Sequence, residues 1–399
     1  MKIRPSVVLV ALALAYSLTA DAADWFRWRG PDLNGNSRET GWQTVWPADG
    51  PRQLWKASVG SGFASFSVAN ERVYTSGNAN DTDTIFCWDA ATGKELWRYS
   101  YPSVLNAKYY EGGTSATPTV DGDKLYAFGK WGDMFCLDAA NGKVIWSTNV
   151  AKGLDLQVAQ WCFASSPLIE GDLLVLNAGS EGLALDKQSG KVIWSTGKEP
   201  AGYATPQPYG EGDASLAIFG GNFIYGVALK DGHELWRYPW KTMGEINVSQ
   251  PIIDHNRVFI SSGYNVGAAL LDISGKDPRV IWQNKNMRNH FNSCILWQGY
   301  LYGPDDDQLC CISFDTGEVK WTDRSVGKGS VTMADGKLIV LSEKGELMVA
   351  EASPAGFKPL SRAQVLPGKC WTTPVLSNGR IYCRNAKGDV ACLDVTGKP

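Results

Sequence analysis

The stretch CLDAANGKVIW, residues Cys136 to Trp146, decides the fold, because variants of it recur along the chain. In the good copies an Asp precedes a Gly-Lys pair, and a Trp follows the Gly by four residues. The tryptophans at this position are Trp55, Trp97, Trp146, Trp194, Trp236, Trp282 and Trp321. Self-similarity at roughly 40–50 residues is the period of a four-stranded propeller blade.

A second phrase precedes each copy, in which a short Ser/Thr-Pro strand leads into a turn and an alternating strand. The clearest example runs from Ala116 to Tyr126 and contains the turn Asp121-Gly122. Such runs between turn residues are typical of a hairpin meander. The units begin near Ser65, Thr114, Ser165, Ala204, Val248, Ser293, Ser330 and Thr372. We therefore expect an all-β protein, an eight-bladed β-propeller of four-stranded antiparallel blades; seven blades or two propellers are the alternatives.

The last unit stops after its third strand, at Leu393-Asp394. The missing outer strand is present at the other end of the propeller sequence, as Gln53-Leu54-Trp55-Lys56. Pairing of the two would remove an exposed strand edge. The predicted propeller domain is therefore 53–397, closed by the N-terminal strand 53–56.

The N-terminus has the pattern of a secretory signal peptide over residues 1–22. Lys2 and Arg4 precede a mostly apolar stretch, and Ala20-Asp21-Ala22 supplies small residues for cleavage. We expect a periplasmic or secreted protein with no membrane span in the mature chain; an uncleaved anchor is the alternative. Residues 23–52 form a predicted aromatic arm, whose Trp rings we expect in grooves between blades.

Charge and cysteine content restrict the partners and the cross-links. The chain has 38 basic and 41 acidic residues and no basic block, which argues against nucleic acid or an anionic membrane as a partner. Its nine cysteines are an odd number, so a monomer, the expected state, keeps at least one free thiol. We expect most of them to be buried as small hydrophobic side chains.

The Asp-x-x-x-Gly-Lys-x-x-Trp phrase resembles the tryptophan-docking repeat of the quinoprotein (PQQ-like) β-propeller superfamily, over nearly the whole mature chain. This superfamily includes cofactor-free propellers of the BamB type and PQQ-dependent alcohol dehydrogenases. The resemblance implies that the motif tryptophans are architectural. Those dehydrogenases carry an adjacent Cys pair whose disulfide covers the cofactor. Here Cys311 aligns with Cys136 inside a blade strand, so we interpret Cys310-Cys311 as structural.

Candidate ligand contacts lie where the innermost strands begin, because these strands converge on the central funnel. Nearby polar and aromatic positions include Tyr109, Tyr110, Gln160, Tyr203, Asn247 and Cys370. The predicted binding residues are Glu111, Trp161, Arg288, His290, Asn292, Lys328 and Trp371. Together they could hold an anionic planar ring such as PQQ by stacking and charge. A funnel that is polar only because it is wet is the alternative.

Catalytic motifs are missing from the sequence: it has no Gly-x-Ser-x-Gly, P-loop or His-Glu-x-x-His motif. Catalytic residues are therefore unknown, and no metal site is predicted. The run Asp305-Asp306-Asp307 lacks the ligand spacing of a calcium loop and is expected to be a solvated hairpin turn. The sequence favours an exported, non-enzymatic module that binds a protein, peptide or glycan on the propeller face. The alternative is a PQQ- and calcium-dependent dehydrogenase oxidising an alcohol or sugar.

Overall fold

The computed structural model describes residues 24–210 and 214–397, and within these ranges eight four-stranded units form a ring. The prediction of an all-β, eight-bladed propeller is confirmed. In each blade neighbouring strands are antiparallel. The strands follow chain order from the innermost strand outwards in blades 1 to 7, whereas the outermost strand of blade 8 precedes blade 1 in the chain. The predicted signal peptide of residues 1–22 lies outside the described residues.

Two strands precede the first blade, and blades 1 to 4 follow in chain order. The preceding strands are β1 (Asn36–Ser37) and β2 (Gln53–Ser58). Blade 1 consists of β3 (Ser67–Ala69), β4 (Arg72–Ala79), β5 (Thr82–Asp89) and β6 (Glu95–Pro102), and blade 2 of β7 (Thr119–Asp121), β8 (Lys124–Phe128), β9 (Asp133–Asp138) and β10 (Val144–Asn149). Blade 3 consists of β11 (Leu168–Glu170), β12 (Leu173–Leu176), β13 (Leu183–Asp186) and β14 (Val192–Ser195), and blade 4 of β15 (Gln207–Tyr209), β16 (Ser215–Phe219), β17 (Phe223–Ala228) and β18 (Glu234–Pro239). Helix α1 (Val150–Leu154) follows β10, and a 3-10 turn (Met243–Glu245) follows β18.

Blades 5 to 8 complete the ring. Blade 5 consists of β19 (Ile252–Asp254), β20 (Arg257–Ser262), β21 (Gly267–Asp272) and β22 (Arg279–Asn284), and blade 6 of β23 (Ile295–Trp297), β24 (Tyr300–Asp305), β25 (Gln308–Ser313) and β26 (Val319–Asp323). Blade 7 consists of β27 (Ser330–Ala334), β28 (Lys337–Leu341), β29 (Glu346–Glu351) and β30 (Pro359–Gln364), and blade 8 contains β31 (Val375–Ser377), β32 (Arg380–Arg384) and β33 (Asp389–Asp394). Strand β2 is the fourth strand of blade 8, where Trp55 lies opposite Cys392 and Lys56 opposite Ala391. The strand that precedes blade 1 and the last strand of the propeller thus share one sheet.

The recurring Trp and Gly join neighbouring blades. The ring nitrogen of Trp97 donates to the backbone oxygen of Ala139 in the next blade at 3.0 Å. Gly142 lies beneath that indole with φ +73, and a Cβ there would approach Trp97 to 2.5 Å. Only glycine combines this backbone conformation with so close a contact. Equivalent indole bonds join Trp55 to Ala90, Trp146 to Lys187, Trp194 to Leu229, Trp282 to Phe314 and Trp321 to Ser353.

Trp236 departs from this pattern, because its ring nitrogen donates to the Tyr209 hydroxyl of its own blade at 2.8 Å. The following turn contains Gly275, whose Cβ position has no neighbour within 4 Å. The repeat copy that ends at Trp282, which contains Gly275, therefore lacks the close contact between a Gly and the indole of the preceding blade. Four motif tryptophans are buried, whereas Trp146, Trp282 and Trp321 are half-buried.

Hydroxyl side chains tie the inner strands of adjacent blades together. The amide of Ser65 donates to Thr117 Oγ1 at 3.0 Å, and the amide of Thr117 donates to Ser166 Oγ at 2.9 Å. The amide of Ser166 in turn donates to Thr205 Oγ1 at 3.0 Å. Each hydroxyl satisfies a buried backbone amide that has no strand partner on that side, which accounts for the Ser/Thr in the second phrase.

The N-terminal arm lies inside the ring and contacts most of its blades. Trp25 bridges to the innermost strand of blade 1, and β1 pairs in parallel with β27 of blade 7. Hydrogen bonds join Trp25 to Val68, Phe26 to Val120, Arg27 to Glu170, Leu33 to Gln250, Arg29 to Cys294, Gly35 to Met333 and Ser37 to Leu376. Trp42 and Trp46 pack between blades 7 and 8. The arm thus crosses the central channel rather than resting only on the outside.

The nine cysteines are all buried and unpaired. Cys310 and Cys311 occupy successive positions of β25, opposite Thr322 and Trp321 of β26. Burial raises the pKa of the Cys311 thiol to about 12, so it is protonated at neutral pH. In the described part of the chain, no helix has the length and apolar character needed to cross a bilayer.

Candidate ligand-binding cavity

A cavity of about 610 Å³ opens where the innermost strands begin. Every blade contributes to it from one equivalent position, two residues before the Ser, Thr or Gln of the segment that leads into the inner strand. These eight lining residues are Phe63, Ser115, Ala164, Tyr203, Val248, Phe291, Lys328 and Trp371. The repeat therefore generates a ring of side chains around the axis, and the residue type at this position determines what the cavity can bind.

Five of the lining rings form a continuous series, which we call the aromatic cup: Phe291, Trp371, Phe63, Tyr110 and Trp161. Phe291 stacks on Trp371 at 4.5 Å, and Trp371 stacks on Phe63 at 5.9 Å. Phe63 contacts Tyr110 at 5.7 Å, and Tyr110 meets Trp161 edge to face at 5.6 Å. Ring pairs in such geometries contribute about 0.5–1.5 kcal/mol beyond burial, so the cup is a preformed wall.

The arm supplies part of the lining through Trp28. The neighbouring Arg29 is only 4% exposed and donates to the backbone oxygens of Asn34 and Cys294 at 2.9 and 2.8 Å. Burial lowers the pKa of this guanidinium to about 10, which leaves it charged at neutral pH. Arg29 thereby anchors Trp28 against blade 6.

The charged residues of the lining are both cations. Lys328 and Lys108 line the cavity, and no carboxylate does so among the described residues. The Lys328 amine lies 3.5 Å from Nδ1 of His290 and 5.8 Å from the centre of the Phe291 ring. Glu343 lies outside the lining, where its carboxylate accepts from the indole nitrogen of Trp371 at 3.0 Å and from the backbone amide of Lys328 at 3.3 Å. The cavity is therefore apolar and electropositive.

His290 lies behind Phe291 rather than in the lining. The two rings stack at 3.7 Å, and Tyr264 meets His290 edge-on at 4.5 Å. Burial, and secondarily the charge of Lys328, lower the pKa of His290 to about 4. A neutral imidazole at physiological pH is thus part of the support of the cup.

The predicted binding residues divide into two groups. Trp161, Asn292, Lys328 and Trp371 line the cavity, together with Tyr109, Tyr110, Gln160 and Tyr203. Glu111, Arg288, His290, Asn247 and Cys370 do not line it. Glu111 is paired with Lys369 at 2.9 Å, and the side chain of Asn247 donates to the backbone oxygens of Gly220 and Gly221.

Arg288, one of the predicted binding residues, lies outside the lining and is engaged by acids of its own blade. Its guanidinium is held by Asp305, at 2.6 Å and 2.9 Å, and by Asp306 at 3.0 Å. Asp305 itself is buried at the end of β24, not in a solvated turn as predicted. A buried carboxylate needs a nearby cation, and Arg288 supplies it for Asp305, so its guanidinium is held in this ion pair.

Four lining aromatics were missed in the sequence: Trp28, Phe63, Tyr264 and Phe291. Phe63 and Phe291 could have been found, because each stands two residues before the Ser of the repeat segment that leads into an inner strand, Ser65 and Ser293. Trp28 and Tyr264 carry no such signal, since the arm and a loop of blade 5 bring them to the cavity.

The donor set of the cavity does not fit calcium-assisted PQQ chemistry. Calcium takes six to eight oxygen ligands, usually including carboxylates. Among the described residues the lining offers amide and hydroxyl oxygens, such as those of Asn292 and Gln160, but no carboxylate, and Glu111 outside it is paired with Lys369. No group of three His, Cys, Asp or Glu residues that could hold a metal ion occurs among the described residues.

Known structures share this fold. BamB from Moraxella catarrhalis is 15% identical with a TM-score of 0.63, over 87% of this chain and 98% of that one. Quinohemoprotein alcohol dehydrogenase from Comamonas testosteroni is 14% identical with a TM-score of 0.70, over 94% and 81%. The computationally designed Ika8 protein is 12% identical with a TM-score of 0.62, over 89% and 100%. At these identities the likeness concerns the fold alone. No curated protein sequence matches.

A family model covers most of the chain as well. It carries the description outer membrane protein assembly factor BamB and matches residues 33–114 and 106–323. These segments include the arm beyond residue 33 and the docking repeats of blades 1 to 6. The chain therefore belongs to the PQQ-like propeller family that this model describes.

Proposed function

We propose that this chain is a non-enzymatic binding module, whose aromatic cup holds part of a larger partner molecule. The observation that carries the proposal is the unbroken series of ring contacts from Phe291 to Trp161, to which five blades contribute. Concave, mostly apolar cavities with a few polar groups are the usual form of ligand sites. Large apolar surfaces that are accessible from solvent mark interaction sites or ligand-binding grooves in soluble proteins.

The groups around the cup support binding rather than catalysis. General acid-base chemistry is performed most often by a His or a carboxylate within hydrogen-bond reach of the substrate. Phe291 stands between His290 and the cavity, and the Glu343 carboxylate is occupied by Trp371 and Lys328. What remains exposed to a ligand is ring surface, two ammonium groups and neutral polar side chains.

The dehydrogenase alternative rests on fold likeness, which does not establish a reaction. The similar structures include both an assembly factor and alcohol dehydrogenases, so the fold is compatible with either role. The lining without carboxylates favours the binding module.

We further propose that the protein is exported to the periplasm or the medium and binds a protein or peptide there as a monomer. The apolar leader with its Ala20-Asp21-Ala22 segment supports export. The family description, an assembly factor, is consistent with a protein partner. N-terminal sequencing of the protein recovered from the periplasm or the medium should find Ala23 as the first residue; recovery of the chain only in the cytoplasm would contradict export.

The binding proposal is tested by titrating the purified protein with oligopeptides, oligosaccharides, and PQQ with and without Ca²⁺, following tryptophan fluorescence. A ligand of the cup should lose affinity in Trp371→Ala and keep it in Trp131→Ala. Trp131 is the matched control because it is a partly exposed tryptophan outside the cavity. Calcium-dependent PQQ binding followed by alcohol-dependent dye reduction would replace the proposal with the dehydrogenase.

A further inference from the structure

The rings of the aromatic cup are already stacked on one another. Phe291 lies between His290 at 3.7 Å and Trp371 at 4.5 Å, with interplanar angles of 20° and 25°. Trp371 in turn lies between Phe291 and Phe63, at 27° to the latter. Phe291 is covered on both faces, and Trp371 is covered on the faces turned to Phe291 and Phe63, so these two rings present their edges to the cavity.

Ring edges and lysines make the cavity a site for negative charge. The quadrupole of an aromatic ring is negative on its faces and positive on its edges. Lys328 and Lys108 add two ammonium groups, and neither is within ion-pair distance of a carboxylate among the described residues. Asp306 is close enough to interact electrostatically with Lys328, but Arg288 holds it at 3.0 Å. A cationic ligand would be repelled.

A groove of about 390 Å³ adjoins the cavity and is lined by the loops that follow blades 2, 3 and 4. It shares Gln160, Tyr203 and Gly244 with the cavity and includes Glu245, whose carboxylate accepts from the Asn222 side chain at 2.6 Å. Small residues such as Ala159 and Ala201 line the rest of it. Cavity and groove together form an elongated site, with Lys328 on the blade-7 side of the cavity and Glu245 in the groove.

We infer that this site takes the carboxyl end of a peptide chain, with the terminal carboxylate and an apolar last side chain in the aromatic cup. The preceding residues would lie in the groove, whose charge orients the chain with its carboxylate towards Lys328. An extended segment of several residues fits a site of this shape. Sugar rings bind flat against open aromatic faces, and here the faces of Phe291 and Trp371 are covered.

The inference rests on the proposed binding function and is tested with pairs of synthetic hexapeptides. Each pair has one sequence, as the free acid and as the isotopically labelled C-terminal amide, and the last residue varies between pairs. Equimolar mixtures are passed over the immobilised full-length protein, and mass spectrometry gives the acid-to-amide ratio of the retained peptide. We expect a ratio of about ten or more for apolar last residues, which corresponds to about 1.4 kcal/mol.

Three variants determine whether Lys328 is responsible. Lys328→Met should bring the ratio to about one, whereas Lys328→Arg should keep it well above one. Lys143→Met is the control, because Lys143 is an exposed lysine of a Gly-Lys turn outside the cavity, and it should behave as wild type. Melting temperatures of all variants show whether they fold.

Each remaining outcome identifies what fails. A ratio near one with the wild-type protein overturns the inference, as does a ratio that survives in Lys328→Met. Retention of an acidic oligosaccharide instead of peptides overturns the inference and leaves the proposed binding function standing. Equal retention of every probe by wild type and Trp371→Ala would overturn both.

Discussion

The rings of Phe291 and Trp371 stack with centroids 4.5 Å apart, although they belong to blades 6 and 8. Blade 7 lies between them in the ring and contributes Lys328, not an aromatic side chain. Trp371 is held further by the Lys369 amine, 4.4 Å from its ring centre, and by Glu343, 3.0 Å from its ring nitrogen. These contacts fix the wall of the aromatic cup before any ligand arrives.

Glu343 is therefore expected to act as a positioning residue for Trp371. Glu343→Ala removes the acceptor of the indole and should change the near-ultraviolet circular dichroism and weaken binding of any cup ligand several-fold. Glu343→Gln keeps an acceptor oxygen and should retain most of the near-ultraviolet circular dichroism and most of the affinity for a cup ligand. Glu351→Ala, an exposed acid of the same blade, is the control. Unchanged spectra in Glu343→Ala would contradict the positioning role.

The docking glycines can be tested by one matched pair. Gly142 and Gly122 both have positive φ, at +73 and +61, but only Gly142 lies beneath an indole. Gly122→Ala should cost about 1 kcal/mol for backbone strain, whereas Gly142→Ala should cost clearly more because its Cβ displaces Trp97. Urea denaturation measures both. Equal costs would mean that the close contact contributes little.

The docking tryptophans should carry substantial stability. Trp194 is buried and bonds to Leu229 of the next blade, so Trp194→Ala should cost about 3–5 kcal/mol. Trp146 is half-buried, and its truncation should cost less. Trp131→Ala is the surface comparison. Chemical denaturation gives the three values, and similar losses at Trp194 and Trp131 would refute the docking role.

Ring closure by β2 predicts a strong effect of N-terminal truncation. Removing residues 23–57 deletes the arm and leaves β33 with an unpaired edge, so we expect a marked drop in melting temperature. A chain lacking only residues 1–22 is the control. A truncated protein that melts with the control would show that the closure is dispensable.

His290 should make the fold sensitive to acid. Its folded pKa of about 4 lies below the ordinary value of 6.5, so between these values the unfolded chain binds more protons. Stability therefore falls as the pH drops from 6.5 to 4, by about 2 kcal/mol after allowance for partial exposure. His290→Phe keeps a ring beside Phe291 and Tyr264 but cannot titrate. Melting curves at pH 7.5 and 4.5 should show a smaller acid loss in the variant than in wild type.

The periodic features of the protein follow from the sequence alone. Strand alternation, Gly turns and the recurring Trp act between residues that are close in the chain or one repeat apart, so they predict blade size and number directly. The recurring Ser or Thr ahead of each inner strand also marks the residue that lines the cavity, which stands two positions earlier, as with Phe63 and Phe291.

Tertiary structure decides which of the candidate side chains meet. Arg288 and Lys328 are both cations near inner strands, but Arg288 lies beside the buried Asp305 and Lys328 does not. Trp28 reaches the cavity because the arm passes inside the closed ring, and no local pattern encodes that path. Pairing of charges and rings depends on distances in space between residues far apart in the chain, and these distances exist only once the ring has closed.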